Sequence, residues 1–163
     1  TGLETMTGGR VKRVQKYIGS ETFMLTYGDG LSDINMNTLL DFHQKNGKTA
    51  TITAIQPGGR FGALDMLDNG IINRFAEKRK EDGGWINGGY MVIEPRIFDY
   101  ISGDDSVLEK EPLERLASEG ELIAYRHSGF WQSMDTLRDK HYLEELITTN
   151  AAPWMKWKQE KER

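Results

Sequence analysis

The sequence predicts an α/β protein, a sheet with helices on its faces. Three observations carry this: apolar strand-like runs alternate with stretches of helical spacing, the segments between them are short, and the strand–helix–strand order recurs along the chain. Thr7 to Gly19 fits a helix, because Val11, Val14, Tyr17 and Ile18 recur at helical spacing and Gly19 stands where a left-handed cap falls. Thr22 to Tyr27 is a near-continuous apolar run closed by Gly28-Asp29-Gly30, the form of a buried strand entering a loop. Asn37 to Lys45 carries Leu39, Leu40 and Phe42 as an inner face and stops at Gly47, and Lys48 to Ile55, with its β-branched residues, is the next strand.

Gly62 to Leu67 and Ile71 to Glu77 flank Asp68-Asn69-Gly70, whose Asn-Gly supplies the positive φ angles of a tight hairpin. Ile86 to Glu94 is a strand interrupted by Gly88-Gly89, which predicts a bulge or a close approach by another group. Pro95 starts a short helix through Tyr100. Glu111 to Ala117 reads as a helix ended by Gly120, Glu121 to Tyr125 as a strand, and Asp135 or Thr136 as the cap of a last helix reaching Thr148. The charged stretch from Trp157 to Arg163 is expected to fray.

Composition narrows the function classes. A chain of 163 residues fits one domain, and 18 glycines against 4 prolines suit a fold with many turns. The net charge of -4, with no basic cluster before the C-terminus, excludes a binder of nucleic-acid backbones. With no cysteine there is neither a disulfide framework nor a thiolate metal site. No apolar run approaches a membrane span and Thr1 to Arg10 lacks the order of a signal peptide, so no membrane role and a cytoplasmic location are expected. Acyl transfer, redox chemistry and zinc hydrolysis find no nucleophile elbow, dinucleotide fingerprint or zinc spacing.

Asp29, between two glycines at the carboxyl end of a strand, is the leading candidate for chemistry, since open α/β sheets bind ligands there; Gly-Asp-Gly is equally a tight turn. Asp135 reads most simply as a helix N-cap. Were the two carboxylates to meet, they would make a hard oxygen site for Mg²⁺, which uses one or two carboxylates plus substrate phosphates and waters. Gly8-Gly9 at a helix start, with Arg10 beside them, can present N–H groups to an anion or simply make a turn. Glu77-Lys78 can meet sugar hydroxyls or be an exposed ion pair, and Asn87 can recognise a hydroxyl or satisfy a bulge. His43, His127 and His141 lack metal-ligand spacing and receive no chemistry. Trp131 is core, pocket wall or both, and Trp154 and Trp157 dock on their own domain or on another subunit.

Met6-Thr7-Gly8-Gly9-Arg10, Tyr27-Gly28-Asp29-Gly30, Gly59-Arg60-Phe61-Gly62-Ala63-Leu64-Asp65, Glu77-Lys78, Ile86-Asn87-Gly88-Gly89, Gly129-Phe130-Trp131-Gln132, Met134-Asp135-Thr136 and Ala152-Pro153-Trp154 follow in this order. Together they resemble the sugar-1-phosphate nucleotidylyltransferases, and within them the glucose-1-phosphate cytidylyltransferases (CDP-glucose pyrophosphorylases). The resemblance implies a Rossmann-like mixed, mostly parallel sheet flanked by helices with a β-hairpin insertion. It implies Mg²⁺-dependent union of CTP and glucose 1-phosphate to CDP-glucose and pyrophosphate, a homo-oligomer, and a role in making the deoxysugars of lipopolysaccharide O-antigens. It further implies that Asp29 and Asp135 are the catalytic Mg²⁺ ligands. Thr7, Gly8 and Arg10 would lie at the nucleotide, and Gly62, Glu77, Lys78, Asn87 and Gly88 would border the sugar phosphate.

Two departures stand out. Glu77-Lys78-Arg79-Lys80 replaces the usual Glu-Lys-Pro-Lys. The family's opening strand, its Gly-rich loop with Thr-Arg and its lysine-bearing Lys-Pro segment do not occur, so the chain is expected to be a C-terminal portion of one nucleotidyltransferase domain, over residues 1–152 with a charged tail at 153–163, inactive alone. Rival readings are a relative with another base or sugar, and a non-catalytic nucleotide-sugar binding module.

Overall fold

The computed structural model describes residues 1–57 and 84–155 in full and, between them, the backbone of the strands Gly62–Met66 and Ile72–Glu77. The elements follow as α1 Thr7–Ile18, β1 Phe23–Thr26, β2 Gly30–Ser32, α2 Met36–Asn46, β3 Ala50–Ile55, β4 Gly62–Met66, β5 Ile72–Glu77 and β6 Ile86–Ile93. A 3₁₀ turn at Pro95–Tyr100, α3 Glu111–Ser118, β7 Leu122–Arg126, β8 Trp131–Ser133 and α4 Leu137–Thr148 complete the order.

Local chemistry sets the ends of α2. The Asn35 side-chain oxygen accepts from the N–H groups of Asn37 and Thr38 at 3.0 and 3.1 Å, and Gly47 stops the helix at φ 58°. The central sheet has the order β1-β6-β3-β7. β1, β3 and β7 run one way, β3 and β7 pairing in parallel from Ala50 opposite Leu122, while β6 runs against both its neighbours. The sheet is therefore mixed, with three of its strands in one direction. β1 and β3 are joined through α2 but are not adjacent as the strand–helix–strand pattern suggested: β6 lies between them. Its apolar end explains this, for Met91, Val92 and Ile93 are at most 1% exposed and need cover on both faces.

Alternation along β6 divides the core. Met91 and Ile93 face Val11 of α1, Ile97 and Phe98 of the 3₁₀ turn, and Leu113 and Leu116 of α3, with Phe98 stacked on Phe23 at 5.8 Å. Val92 points the other way, to Ile34 and Leu39 at α2. On this second face His43 is buried between the sheet and its rim, its ring nitrogens 2.8 Å from Thr51 Oγ1 and 2.9 Å from Glu94 Oε1. The residue without metal-ligand spacing is thus a satisfied core histidine.

Two residues along β3, the Thr53 hydroxyl is a buried side-chain oxygen with no hydrogen-bond partner among the described residues. An unsatisfied buried hydroxyl costs roughly 1–3 kcal/mol, so Thr53→Val is expected to raise stability by about 1 kcal/mol. An increased urea midpoint at constant slope would show it; a lower midpoint would mean that the hydroxyl is bonded.

β4 and β5 form the expected antiparallel hairpin, Gly62 opposite Glu77. Its turn, at 67–71, lies outside the described residues. Trp154 docks on its own chain, its ring 5.2 Å from Phe130, while Trp157 and the rest of the charged end are outside the described residues. Among the described residues no helix is long and apolar enough to cross a membrane.

Candidate active site

Tyr27-Gly28-Asp29 leaves the carboxyl end of β1 and leads directly into β2, which pairs antiparallel with β8, Gly30 opposite Ser133 and Ser32 opposite Trp131. This small second sheet, held further by the Met134 N–H donating to the Asp29 carbonyl at 2.8 Å, brings Asp29 and Asp135 to one cleft of about 170 Å³. Asn87, Gly88 and Gly89 line it from the start of β6, and Tyr27 and Trp131 complete its aromatic wall. The cleft sits beyond the carboxyl end of β1, the position at which α/β sheets bind ligands.

The glycine pair in β6 is a bulge, one of the two outcomes its sequence offers. Pairing with β3 passes from Ile52–Met91 to Ala54–Asn87, so β6 carries extra residues there, and Gly89 adopts φ 78°. A Cβ on Gly89 would lie 2.8 Å from the Tyr27 ring, and one on Gly88 would lie 3.1 Å from the Thr53 carbonyl oxygen. Trp131 is wall and brace at once: its indole N–H donates to the Gly88 carbonyl at 2.7 Å, satisfying the bulge.

Asp135 does not cap α4. Thr136 does: its hydroxyl accepts from the Asp139 N–H at 3.2 Å, and Asp139 Oδ2 accepts from the Thr136 N–H at 3.0 Å, a reciprocal capping box. The Asp135 carboxylate instead accepts from the Ser133 hydroxyl at 2.7 Å and faces the cleft. Thr136→Ala is expected to cost about 1 kcal/mol, measurable as a lower melting temperature.

The predicted nucleotide segment lies on α1. Thr7 donates to Glu109 Oε2 at 2.7 Å, and the other oxygen of Glu109 accepts from the Tyr27 hydroxyl, so Thr7 is joined to the cleft through one carboxylate. Burial, then the bond to Glu109, pushes the Tyr27 phenol above its ordinary range. Burial pushes the Glu109 carboxyl up, but the bonds from Tyr27 and Thr7 outweigh it and hold the group below the usual carboxylate range. A depressed carboxyl stabilises the fold above its unfolded pKa, and that contribution fades as pH falls through the folded value.

Gly8 and Gly9 are required by packing. A Cβ on Gly9 would be 2.5 Å from the Asp104 carbonyl oxygen, and the Gly9 N–H donates to Ser106 O at 3.2 Å. Arg10 is exposed, its guanidinium donating to Thr1 Oγ1 at 2.9 Å. Gly62 and Glu77 are brought opposite each other by the hairpin; their side-chain surroundings, and Lys78 altogether, lie outside the described residues. Glu109 escaped the sequence reading, since an acid two residues before a helix start resembles a solvated first-turn charge. His127 is structural as well: Nε2 is 2.9 Å from Asp33 Oδ1, whose carboxylate also accepts from the Phe130 N–H at 2.8 Å, which fixes the loop leading into β8.

Comparison with known proteins agrees with this architecture. The family described as "Nucleotidyl transferase" matches residues 7–137. A glucose-1-phosphate cytidylyltransferase of Salmonella typhi is 52% identical over 158 residues, 96% of this chain and 61% of the relative. A probable glucose-1-phosphate cytidylyltransferase of Bacillus subtilis is 43% identical over the same span and share. The chain thus spans about 61% of the length of these curated relatives. Among solved structures, HddC from Yersinia pseudotuberculosis superposes with TM-score 0.67 at 20% identity, covering 90% of this chain and 64% of that one. A UDP-glucose pyrophosphorylase complexed with UDP-glucose gives 0.61 at 17%, with coverage of 89% and 65%. Those two likenesses concern the fold alone. Because the family match runs from the first turn of α1 to the start of α4 and takes in the whole cleft, the chain belongs to the nucleotidyl transferase family.

Proposed function

We propose that the intact protein transfers a cytidylyl group from CTP to glucose 1-phosphate, giving CDP-glucose and pyrophosphate. The observation that carries the reading is the meeting of Asp29 and Asp135 at the end of β1, in a chain 52% identical to a glucose-1-phosphate cytidylyltransferase. A phosphate oxygen of the sugar phosphate attacks the α-phosphorus of CTP; the bond from that phosphorus to the bridging oxygen breaks, and pyrophosphate leaves with the electron pair. The chemistry needs in-line placement and neutralisation of charge more than proton transfer.

The donor set fits Mg²⁺, for two carboxylates on neighbouring segments of one cleft match an ion that otherwise relies on phosphates and water. Asp29 and Asp135 would hold it, and when bound it supplies Lewis-acid neutralisation of the phosphates. Thr7, Gly8 and Arg10 serve the nucleotide; Gly62, Glu77, Lys78, Asn87 and Gly88 serve the sugar phosphate. Residues 1–152 act as part of one catalytic domain with 153–163 as its tail, in a cytoplasmic homo-oligomer that supplies deoxysugar synthesis for surface polysaccharide.

The test is pyrophosphate release by the intact gene product with Mg²⁺, glucose 1-phosphate and CTP, UTP, dTTP or GTP in turn. A preference for CTP supports the reading. Preference for another nucleotide would reassign the base within the family, and silence with all four would favour a non-catalytic binding module.

A further inference from the structure

We propose that Glu109 is a positioning residue for the cleft, fixing the orientation of the Tyr27 hydroxyl and tying it to Thr7 at the start of α1. The inference rests on the reading of the cleft as the site that takes glucose 1-phosphate. Glu109 is not among the residues that line the cleft, so it acts at one remove. Each of its oxygens is engaged by a different part of the fold: Tyr27 donates to one, and Thr7 to the other at 2.7 Å, while the Thr7 hydroxyl itself accepts from the Leu108 N–H at 2.9 Å. A carboxylate accepts only, so both hydroxyl protons are committed to it.

The consequence reaches the ligand side of the wall. With its proton on Glu109, Tyr27 offers the cleft an oxygen acceptor and no donor. The Asn87 amide oxygen accepts from the Gly89 N–H at 2.9 Å, which leaves its NH₂ as the donor on the same cleft wall as Tyr27. Gly89 packs on the Tyr27 ring so closely that a Cβ there would stand 2.8 Å from it, so the phenol has no room to reorient by moving the ring inward. Glu109 thus sets the donor and acceptor pattern that a hydroxyl- and phosphate-bearing ligand meets.

Glutamine at this position separates orientation from bulk. In Glu109→Gln only one oxygen remains; with that oxygen accepting from Thr7, the new NH₂ donates to Tyr27, and the phenol proton turns into the cleft in place of an acceptor. The test compares wild type, Glu109→Gln, Tyr27→Phe and the double variant of the intact gene product, by pyrophosphate release with CTP and glucose 1-phosphate and by thermal melting. Each single change is expected to raise KM for glucose 1-phosphate about tenfold while KM for CTP stays within about twofold, and the double variant is expected to be no worse than either single one.

Single effects that multiply to about a hundredfold, or a fall in melting temperature with both KM values unchanged, would overturn the proposal by showing a structural role only. Should Glu109→Gln fail to fold, Tyr27→Phe decides: a tenfold rise in KM for glucose 1-phosphate supports the proposal and an unchanged value overturns it. A wild type that releases no pyrophosphate removes the proposed reaction and this inference with it, whereas an active wild type with multiplying effects removes this inference alone.

Discussion

Asp29→Asn in the intact gene product is expected to lower pyrophosphate release about a thousandfold while leaving the melting temperature within about 2 °C, on the scale set by loss of charge stabilisation at a phosphoryl centre. The substitution keeps the side chain's shape and removes its charge. The local structure depends on the Asp29 backbone, whose carbonyl receives the Met134 N–H, and that bond is untouched. Asp135→Asn should behave alike, since an amide oxygen still accepts from the Ser133 hydroxyl. The double variant should lose little more than either single one, because two carboxylates that hold one ion, as proposed above, fail as a unit. Activity within tenfold of wild type in Asp29→Asn, or independent losses that multiply, would separate the two carboxylates.

Gly9→Ala should destabilise the fold by about 2 kcal/mol, although alanine is the better helix former by about 1 kcal/mol. The added Cβ would stand 2.5 Å from the Asp104 carbonyl oxygen and 2.6 Å from its Cα, distances that only a shift of backbone can relieve. Such a shift pulls apart the bonds from Met6 N–H to Asp104 O at 2.9 Å and from Gly9 N–H to Ser106 O at 3.2 Å, which dock α1 on this loop. Gly103→Ala is the control, with an ordinary φ and no atom within 4 Å of the new Cβ; it should change stability by less than about 0.5 kcal/mol. Urea unfolding of the two variants, with KM for CTP measured alongside, distinguishes packing from a ligand role: a stable Gly9→Ala variant would contradict the docking described here.

What the sequence discloses is what local chemistry determines. Helix ends were legible where a single residue signals them, Gly47 after Asn46 stopping α2 and Thr136 standing as one of two caps offered for α4, whereas the Asn35 cap of α2 was missed. The bulge was legible because paired glycines inside an apolar strand have few other uses. The position of β6 was not, since strand order is decided by which strand most needs burial on both faces, a property of the assembled sheet. Nor were β2 and β8, which are three residues each and too short for any periodicity, yet they bring the two aspartates together. Residue patterns alone left Asp135 as a cap; only the family's order of motifs assigned it to the metal, and the capping box of Thr136 and Asp139 shows why the cap was not needed from it. Glu109 was invisible because its partner Tyr27 is 82 residues away, and nothing in the run from Leu108 to Pro112 marks an acid that reaches the cleft wall.

The most direct test follows labelled glucose 1-phosphate into CDP-glucose in the intact gene product, with CTP and Mg²⁺, comparing wild type with the Asp29→Asn, Asp135→Asn double variant. Labelled CDP-glucose from wild type and none above background from the folded double variant is the result expected. CDP-glucose formed at the wild-type rate without the two carboxylates would contradict the assignment of this cleft as the catalytic centre.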